Sequence, residues 1–388
     1  MRPLAYGGGR DAGNRRTISM KGTTDMTDVR LMDTKEDFVK LGINPDKVEQ
    51  WEDGRRDTSA RGHWEWWYFD AILDDGSSVV VQFFPKDNMR TKESVDSPHL
   101  TARVVTKDGR TYEKHPAFRP EQCRFAKEAC DVRLGSNLFQ GDLETYRILV
   151  DSSDDGFGVD ITLKSQSKPY RPGTSYFEFD DDYYTWLCVV PRGEVTGTVT
   201  LDGVPHEVHG RGYHDHQWGS ALFWSLWNNW LWARHNFEDH SLLVFDMVAS
   251  KKYGYQRFPI AFLQDKDGNI VFENTKDVNY QLIEKYRDPD SGKYYPRRSK
   301  YTFDVNGKHI EYELEERKVL ESQNAKARKM PAPAVLMLKL KGLDPSYVRY
   351  EATGDLTVTE GGKETLHRDG ALIYEFMYPG TEDFSKHV

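Results

Sequence analysis

Three cysteines in 388 residues, Cys123, Cys130 and Cys188, are too few to staple a fold: an odd number cannot all pair, and no CxxC spacing offers a zinc or redox motif. A reducing compartment, the cytoplasm, is the simplest expectation. The chain also lacks an apolar run near the roughly 20 residues that a membrane span requires, so no membrane span is expected. Basic charge is short as well. Lys and Arg number 53 against 62 Asp and Glu, a net charge of −9, which leaves no basic stripe to displace counterions from a nucleic acid. Helical periodicity is confined to "TKEDFVKLG" near the start, with Asp33 and Thr34 as candidate caps, and to "ERKVLESQNAKARK" at 316–329. Residues 1–30 are Gly-rich and charged, without the apolar core of a secretory signal, and read as a disordered extension.

What the chain has in quantity is aromatic surface. Aromatics make up 13% of the residues although hydrophobic residues reach only 38%. A buried ring removes far more area from water than an alanine, so a sizeable interior is expected. The length exceeds that of one usual core, which predicts two domains. Runs rich in β-branched and aromatic residues recur along the body, among them "SSVVVQFFP", "FGVDITLKS", "SLLVFDMVAS", "KYTFDVNGKHIEYELE" and "ALIYEFMY". Hairpin chemistry separates them, as in Asp202-Gly203 and Asn306-Gly307. Strands in such number, with no βαβ alternation, predict an all-β chain closed into barrels or sandwiches. "WWYFDAILDDGSSVVVQFF" is echoed by "LWARHNFEDHSLLVFDMV", each an aromatic strand, an acidic turn and an apolar strand. The expected domains are therefore 31–225 and 226–388.

Three segments concentrate chemistry. In "HWEWWYFD" strand alternation sets Trp64, Trp66, Tyr68 and Asp70 against His63, Glu65, Trp67 and Phe69, so both faces are aromatic, both carry an acid, and both expect burial. In "HEVHGRGYHDHQWG" it sets His209, Arg211, Tyr213, Asp215 and Gln217 against Gly210, Gly212, His214, His216 and Trp218, with the glycines able to admit a bulge. In "FWSLWNNWLWARHNF" Trp230, Trp232 and Arg234 share a face with Asn228. A buried arginine needs a carboxylate, for which Asp246 and Glu65 are the candidates.

These blocks, in this order and spacing, resemble those of the AttH-like and carotenoid 1,2-hydratase (hydroxyneurosporene synthase) family. The most specific part is Gly210, Gly212, Asp215, Trp218 and Gly219, and the likeness is good over roughly residues 60–250. It implies two packed lipocalin-like β domains with few short helices, and a ligand cavity at or between them. It also implies enzymes that add water to a double bond of a terpenoid or prenylated phenol, or that direct cycloadditions of polyenes, with no bound organic cofactor. Hydrating an unactivated alkene needs an acid that protonates carbon and a base that takes a proton from the attacking water. A carboxyl kept neutral by an aromatic cavity suits the first task. Asp215 is the first candidate acid, His216 or His214 its partner, and Glu65 a second acid. Trp64, Trp66, Tyr68, Tyr184, Trp186, Tyr213, Gln217, Trp218, Trp230, Trp232 and Arg234 are the candidate contacts to a hydrophobic small molecule. His214 and His216, two residues apart, also raise a metal, but no third ligand can be named and none is expected. The alternative is a binding protein that carries such a ligand unchanged; the density of titratable groups favours catalysis. The oligomeric state is not legible.

Overall fold

The computed structural model describes residues 29–86 and 93–387; the extension expected over 1–30 lies almost wholly outside them. The described chain forms two curled antiparallel sheets. The first comprises β1 (Val29–Leu31), β2 (Trp64–Leu73), β3 (Ser78–Lys86), β4 (His99–Val105), β5 (Thr111–Lys114), β6 (Cys123–Phe125), β7 (Asp131–Leu134), β8 (Asn137–Gly141), β9 (Thr145–Val150), β10 (Gly158–Ser165), β11 (Tyr176–Phe179), β12 (Asp182–Leu201) and β13 (Val204–Gly219). The second comprises β14 (Trp227–Asn236), β15 (His240–Ala249), β16 (Arg257–Asp265), β17 (Ile270–Asn274), β18 (Asn279–Arg287), β19 (Tyr294–Val305), β20 (Lys308–Gln323), β21 (Leu343–Glu360) and β22 (Lys363–Gly380). Three short α-helices accompany them: α1 (Lys35–Leu41), α2 (Phe223–Leu226) and α3 (Ala332–Leu340).

Both sheets follow one topology. The first runs β5-β4-β3-β2-β13-β12-β10-β9-β8-β7-β6, with β1 and β11 added beside β12, and the second runs β17-β16-β15-β14-β22-β21-β20-β19-β18. In each, an opening meander is closed by its first strand pairing with the last long hairpin. The echo between "WWYFDAILDD…" and "LWARHNFEDH…" marks those two opening hairpins, β2–β3 and β14–β15.

Local signals act where expected. Asp202-Gly203 and Asn306-Gly307 take positive φ at both positions (52° and 77°; 52° and 78°), the twist that joins two strands by a two-residue turn. Thr34 caps α1 through a reciprocal box with Asp37, and Gly42 ends it in the left-handed region. The expected helix at 316–329 does not form. Its first half extends β20, with Glu316 opposite Ala352, Lys318 opposite Glu351 and Glu321 opposite Arg349. Helix-forming side chains lose there to an eighteen-residue partner strand that supplies the backbone hydrogen bonds.

Each sheet curls around its own apolar interior. Trp67, Phe69, Val79, Phe139, Ile148 and Leu187 fill the first, and Leu231, Ala233, Val244, Tyr301, Tyr350 and Phe376 fill the second. The outward faces of β2, β12 and β13 then pack against those of β14, β15 and β16. That seam is a third, mostly aromatic core of Trp64, Trp66, Tyr184, Trp186, Trp227 and Trp232 with Phe245 and Met247. The consequence for "HWEWWYFD" is burial on both sides: Trp64 and Trp66 face the seam, Trp67 and Phe69 the first interior.

Candidate active site

β13 is a strand with two chemically different faces. Gly212 sits tightly between its neighbours: a Cβ there would lie 2.7 Å from Val195 Cγ2 and 3.0 Å from the Asp70 carbonyl oxygen. The partner strand β12 is irregular at this level, with register shifts between Cys188 and Val190 and between Val190 and Gly193. Beyond it the alternation is regular, and Tyr213, Asp215 and Gln217 point into the seam.

There they line a cavity of about 440 Å³ between the two sheets. The first sheet contributes Trp66, Tyr68, Gln82, Phe84, Tyr213, Asp215 and Gln217; the connection contributes Phe223 and Trp224; the second sheet contributes Trp230, Trp232, Phe245, Tyr347, Arg349, Glu375 and Met377. Aromatic rings and polar side chains share the walls, with His99, Thr101, Arg103, Glu113, His115 and Glu321 joining Asp215, Gln217, Arg349 and Glu375, so convergent polar groups stand against apolar surface as in a small-molecule site.

Asp215 is the most elaborated of those groups. Its Oδ2 accepts hydrogen bonds from the Tyr213 hydroxyl at 2.8 Å and Trp186 Nε1 at 3.2 Å, and Gln217 Nε2 spans both carboxyl oxygens at 3.2 and 3.1 Å. Gln217 is oriented in turn by the Tyr184 hydroxyl, 2.7 Å from its Oε1. Burial pushes the Asp215 carboxyl up from 3.8 to about 6, against the pull of those donors. The group thus sits near the pH at which a carboxyl can both give and take a proton.

A second polar set faces it from β21 and β22. Arg349 and Glu375 stand opposite each other in register, with Nε and Oε1 3.6 Å apart. Burial raises the Glu375 carboxyl, while Arg349 and a hydrogen bond from Tyr347 pull it down. Between the sets lies Asp70. It accepts from the Tyr68 hydroxyl at 3.2 Å and is ion-paired with Arg234, whose guanidinium lies 4.8 Å from the centre of the Tyr213 ring and 5.5 Å from that of Trp232. Arg234 therefore finds its carboxylate on β2, and neither Asp246 nor Glu65 serves it. Asp246 is taken by Arg257 and the Tyr301 hydroxyl within the second sheet, and Glu65 points the other way.

The sequence-predicted residues divide by face. Asp215, Trp66, Tyr68, Tyr213, Gln217, Trp230 and Trp232 line the cavity. Trp64, Tyr184, Trp186 and Arg234 stand behind them, Trp64 stacked on Trp66 with ring centres 4.5 Å apart. The structure does not bring His214, His216, Glu65 or Trp218 to the cavity. Alternation turns them into the interior of the first sheet, where His216 Nε2 lies 2.8 Å from Glu65 Oε1 and His214 Nε2 lies 3.2 Å from Asp53 Oδ2. His214 Nδ1 donates to the Tyr68 carbonyl at 2.8 Å, and Tyr146 donates to Asp53 at 2.6 Å. Burial lifts Glu65 to about 8 and depresses His216 to about 3, so near neutral pH the pair shares one proton and carries little charge. Asp53, Cys130 and His214 also place one atom each with metal-ligand chemistry within 4.8 Å of one another. Asp53 Oδ2 is engaged by Tyr146 and His214, and the Cys130 thiol donates to the Phe139 carbonyl 3.6 Å away, while Asp53 Oδ1 has no hydrogen-bond partner among the described residues.

Arg349, Glu375 and Tyr347 escape the sequence reading. The signal for them is a charge standing alone between aromatics in "YVRY" and "YEFMY", which becomes meaningful only once β21 and β22 are known to face β13.

An all-β chain of two curled sheets with an acid-bearing aromatic cavity in the seam matches a known family. The AttH-like profile matches residues 56–328, and the chain belongs to the AttH-like family. It is 25% identical over 275 residues to hydroxyneurosporene dehydrogenase of Chlorobaculum tepidum, covering 61% of this chain and 69% of that protein. It is 23% identical over 231 residues to a quinolone epoxide rearrangement protein of Penicillium thymicola, covering 54% of this chain and 61%, less than two thirds, of that protein. Among solved structures, an AttH-type protein from Nitrosomonas europaea superposes with a TM-score of 0.56 at 15% identity, over 87% of this chain and 99% of its own. Kievitone hydratase from Nectria haematococca superposes with a TM-score of 0.52 at 13% identity, over 86% and 94%. At these identities the likeness to the solved structures is one of fold. No helix among the described residues is long and apolar enough to cross a membrane.

Proposed function

We propose that this chain is a cofactor-independent enzyme acting on a double bond of a small hydrophobic substrate, a terpenoid, polyene or prenylated aromatic, by general acid-base chemistry in the seam between its two lipocalin-like halves. The observation that carries this reading is Asp215: a carboxyl pushed up to about 6 by burial, held by three side-chain donors, on the wall of an aromatic cavity. Protonated Asp215 gives its proton to an alkene carbon, leaving a carbocation on the neighbouring carbon and a carboxylate on the protein. The faces of Trp66, Trp230 and Trp232 are the nearby groups able to stabilise that cation through their ring quadrupoles.

A water molecule then attacks the cation, and its surplus proton passes to a carboxylate, so that H and OH have added across the former double bond. Glu375, a largely enclosed carboxyl on the cavity wall, takes the role of base in place of His214 and His216. Capture by a nucleophile within the substrate gives a cyclase, and loss of a different proton gives an isomerase. The names of similar proteins, a hydratase of like fold and an epoxide rearrangement protein related in sequence, support this range of chemistry.

The test is turnover of a panel of polyenes and prenylated phenols by wild type, Asp215→Asn and Glu375→Gln, with ligand binding measured in parallel. The reading expects binding by all three and conversion by wild type alone. A ligand bound by all three and converted by none identifies a carrier.

A further inference from the structure

The connection from β20 to β21 carries a surface unlike the rest of the molecule. α3, "APAVLMLKL", has no fully buried residue. Its Ala334, Val335 and Leu338 lean on the protein, Leu338 against the seam core, while Leu336, Met337 and Leu340 are 60%, 54% and 80% exposed. Val319 and Leu320, at the end of β20 in the same excursion of the chain, are also exposed. Three exposed apolar side chains on one short helix mark a contact surface.

The flanks indicate what it contacts. Residues 322–343 contain Lys326, Arg328, Lys329, Lys339 and Lys341 and no acidic residue, in a chain whose net charge is −9. Lys326 pairs with Asp290 and Lys339 with Asp344, while Lys329 and Lys341 make no ion pair among the described residues. An outward apolar ridge bracketed by lysines matches the two layers of an anionic lipid surface, acyl boundary and phosphate. The place in the fold is equally specific. Gln323 and Arg328, just before the helix, line the cavity; Arg328 is itself exposed and lies 5.9 Å from the centre of the Trp224 ring, which also lines it.

We propose that α3 with its basic flanks is an interfacial anchor that seats the protein on an anionic bilayer, with the mouth of the cavity turned toward the lipid. An apolar ligand then passes between membrane and cavity without crossing water. The anchoring is independent of the chemistry at Asp215, while the passage of an apolar ligand rests on the proposed function.

The test uses the full chain and vesicles of phosphatidylcholine with and without phosphatidylglycerol, read by co-sedimentation at low and high ionic strength. Wild type is expected to favour the anionic vesicles and to be released by salt. Lys329→Ala/Lys341→Ala is expected to weaken binding about fivefold for each charge removed. Leu336→Glu/Leu340→Glu is expected to weaken it by about tenfold or more. All four positions are exposed, so both variants should melt as wild type does. Equal or absent binding of wild type to the two vesicle types overturns the proposal, as does undiminished binding by the leucine variant. So does a leucine variant that changes only the oligomeric state, which would assign the ridge to a second copy of the chain.

Discussion

Replacing Asp215 by Asn separates the consequences of a neutral carboxyl from those of an ionised one. In the unfolded chain this carboxyl titrates near 3.8; in the folded protein burial holds it at about 6. Below the lower value both states are protonated and folding carries no penalty. Between the two, the folded protein keeps a proton that the unfolded chain has released, and stability falls as pH rises; above about 6 the full penalty applies. At about 1.4 kcal/mol per pH unit, the interval from 3.8 to about 6 corresponds to roughly 3 kcal/mol. Asn removes that ionisation. It also places an amide N–H where Gln217 Nε2 now donates, a loss of about 1 kcal/mol that does not depend on pH. Urea unfolding of wild type and Asp215→Asn from pH 4 to pH 8 should therefore show the difference moving in favour of the variant by about 2–3 kcal/mol, most of it below about pH 6.5. A difference constant across that range would mean that Asp215 is ionised throughout, and the proton-donor role would fall with it.

The buried networks outside the cavity make further predictions. His216→Gln should destabilise the fold by about 1–3 kcal/mol while leaving ligand affinity within twofold, since its partner is Glu65 inside the first sheet; a selective loss of turnover at unchanged melting temperature would return the histidine to the chemistry. Glu65→Gln imitates the protonated form, so its stability should match wild type near pH 4, exceed it increasingly as pH rises from 4.5 to about 8, and hold a constant advantage above that, as paired thermal melts would show. Asp70→Asn alone should cost about 3–5 kcal/mol by stranding Arg234, and Asp70→Asn with Arg234→Met should recover much of it; additive losses in the double variant would deny the pair its coupling.

Strand periodicity carries the sequence reading a long way here. Alternation alone assigns Trp64, Trp66, Tyr68 and Asp70 to one face of β2 and Tyr213, Asp215 and Gln217 to one face of β13, and those faces meet at the cavity. Alternation also separates His214 and His216 from Asp215, yet imidazoles beside a carboxylate in sequence invite the assumption that they act together. Adjacent residues on a strand point to opposite sides of the sheet, so sequence proximity is the wrong measure of shared chemistry. Arg349 and Glu375 illustrate the converse. They lie more than a hundred residues from Asp215 and reach the cavity because the outward faces of two sheets pack together, a tertiary fact with no local signature. The segment 316–323 fails for a related reason: its composition favours a helix, and only the register with β21 makes it a strand.

The most direct test of the central claim, that Asp215 delivers a proton to carbon inside the seam, is the reaction of a converted alkene in heavy water followed by mass spectrometry. Wild type should place a single deuterium on the protonated carbon of each product molecule, and Asp215→Asn, still binding the ligand, should place none. Label uptake by the variant at the wild-type rate, or a wild-type product with no carbon-bound deuterium, would contradict it.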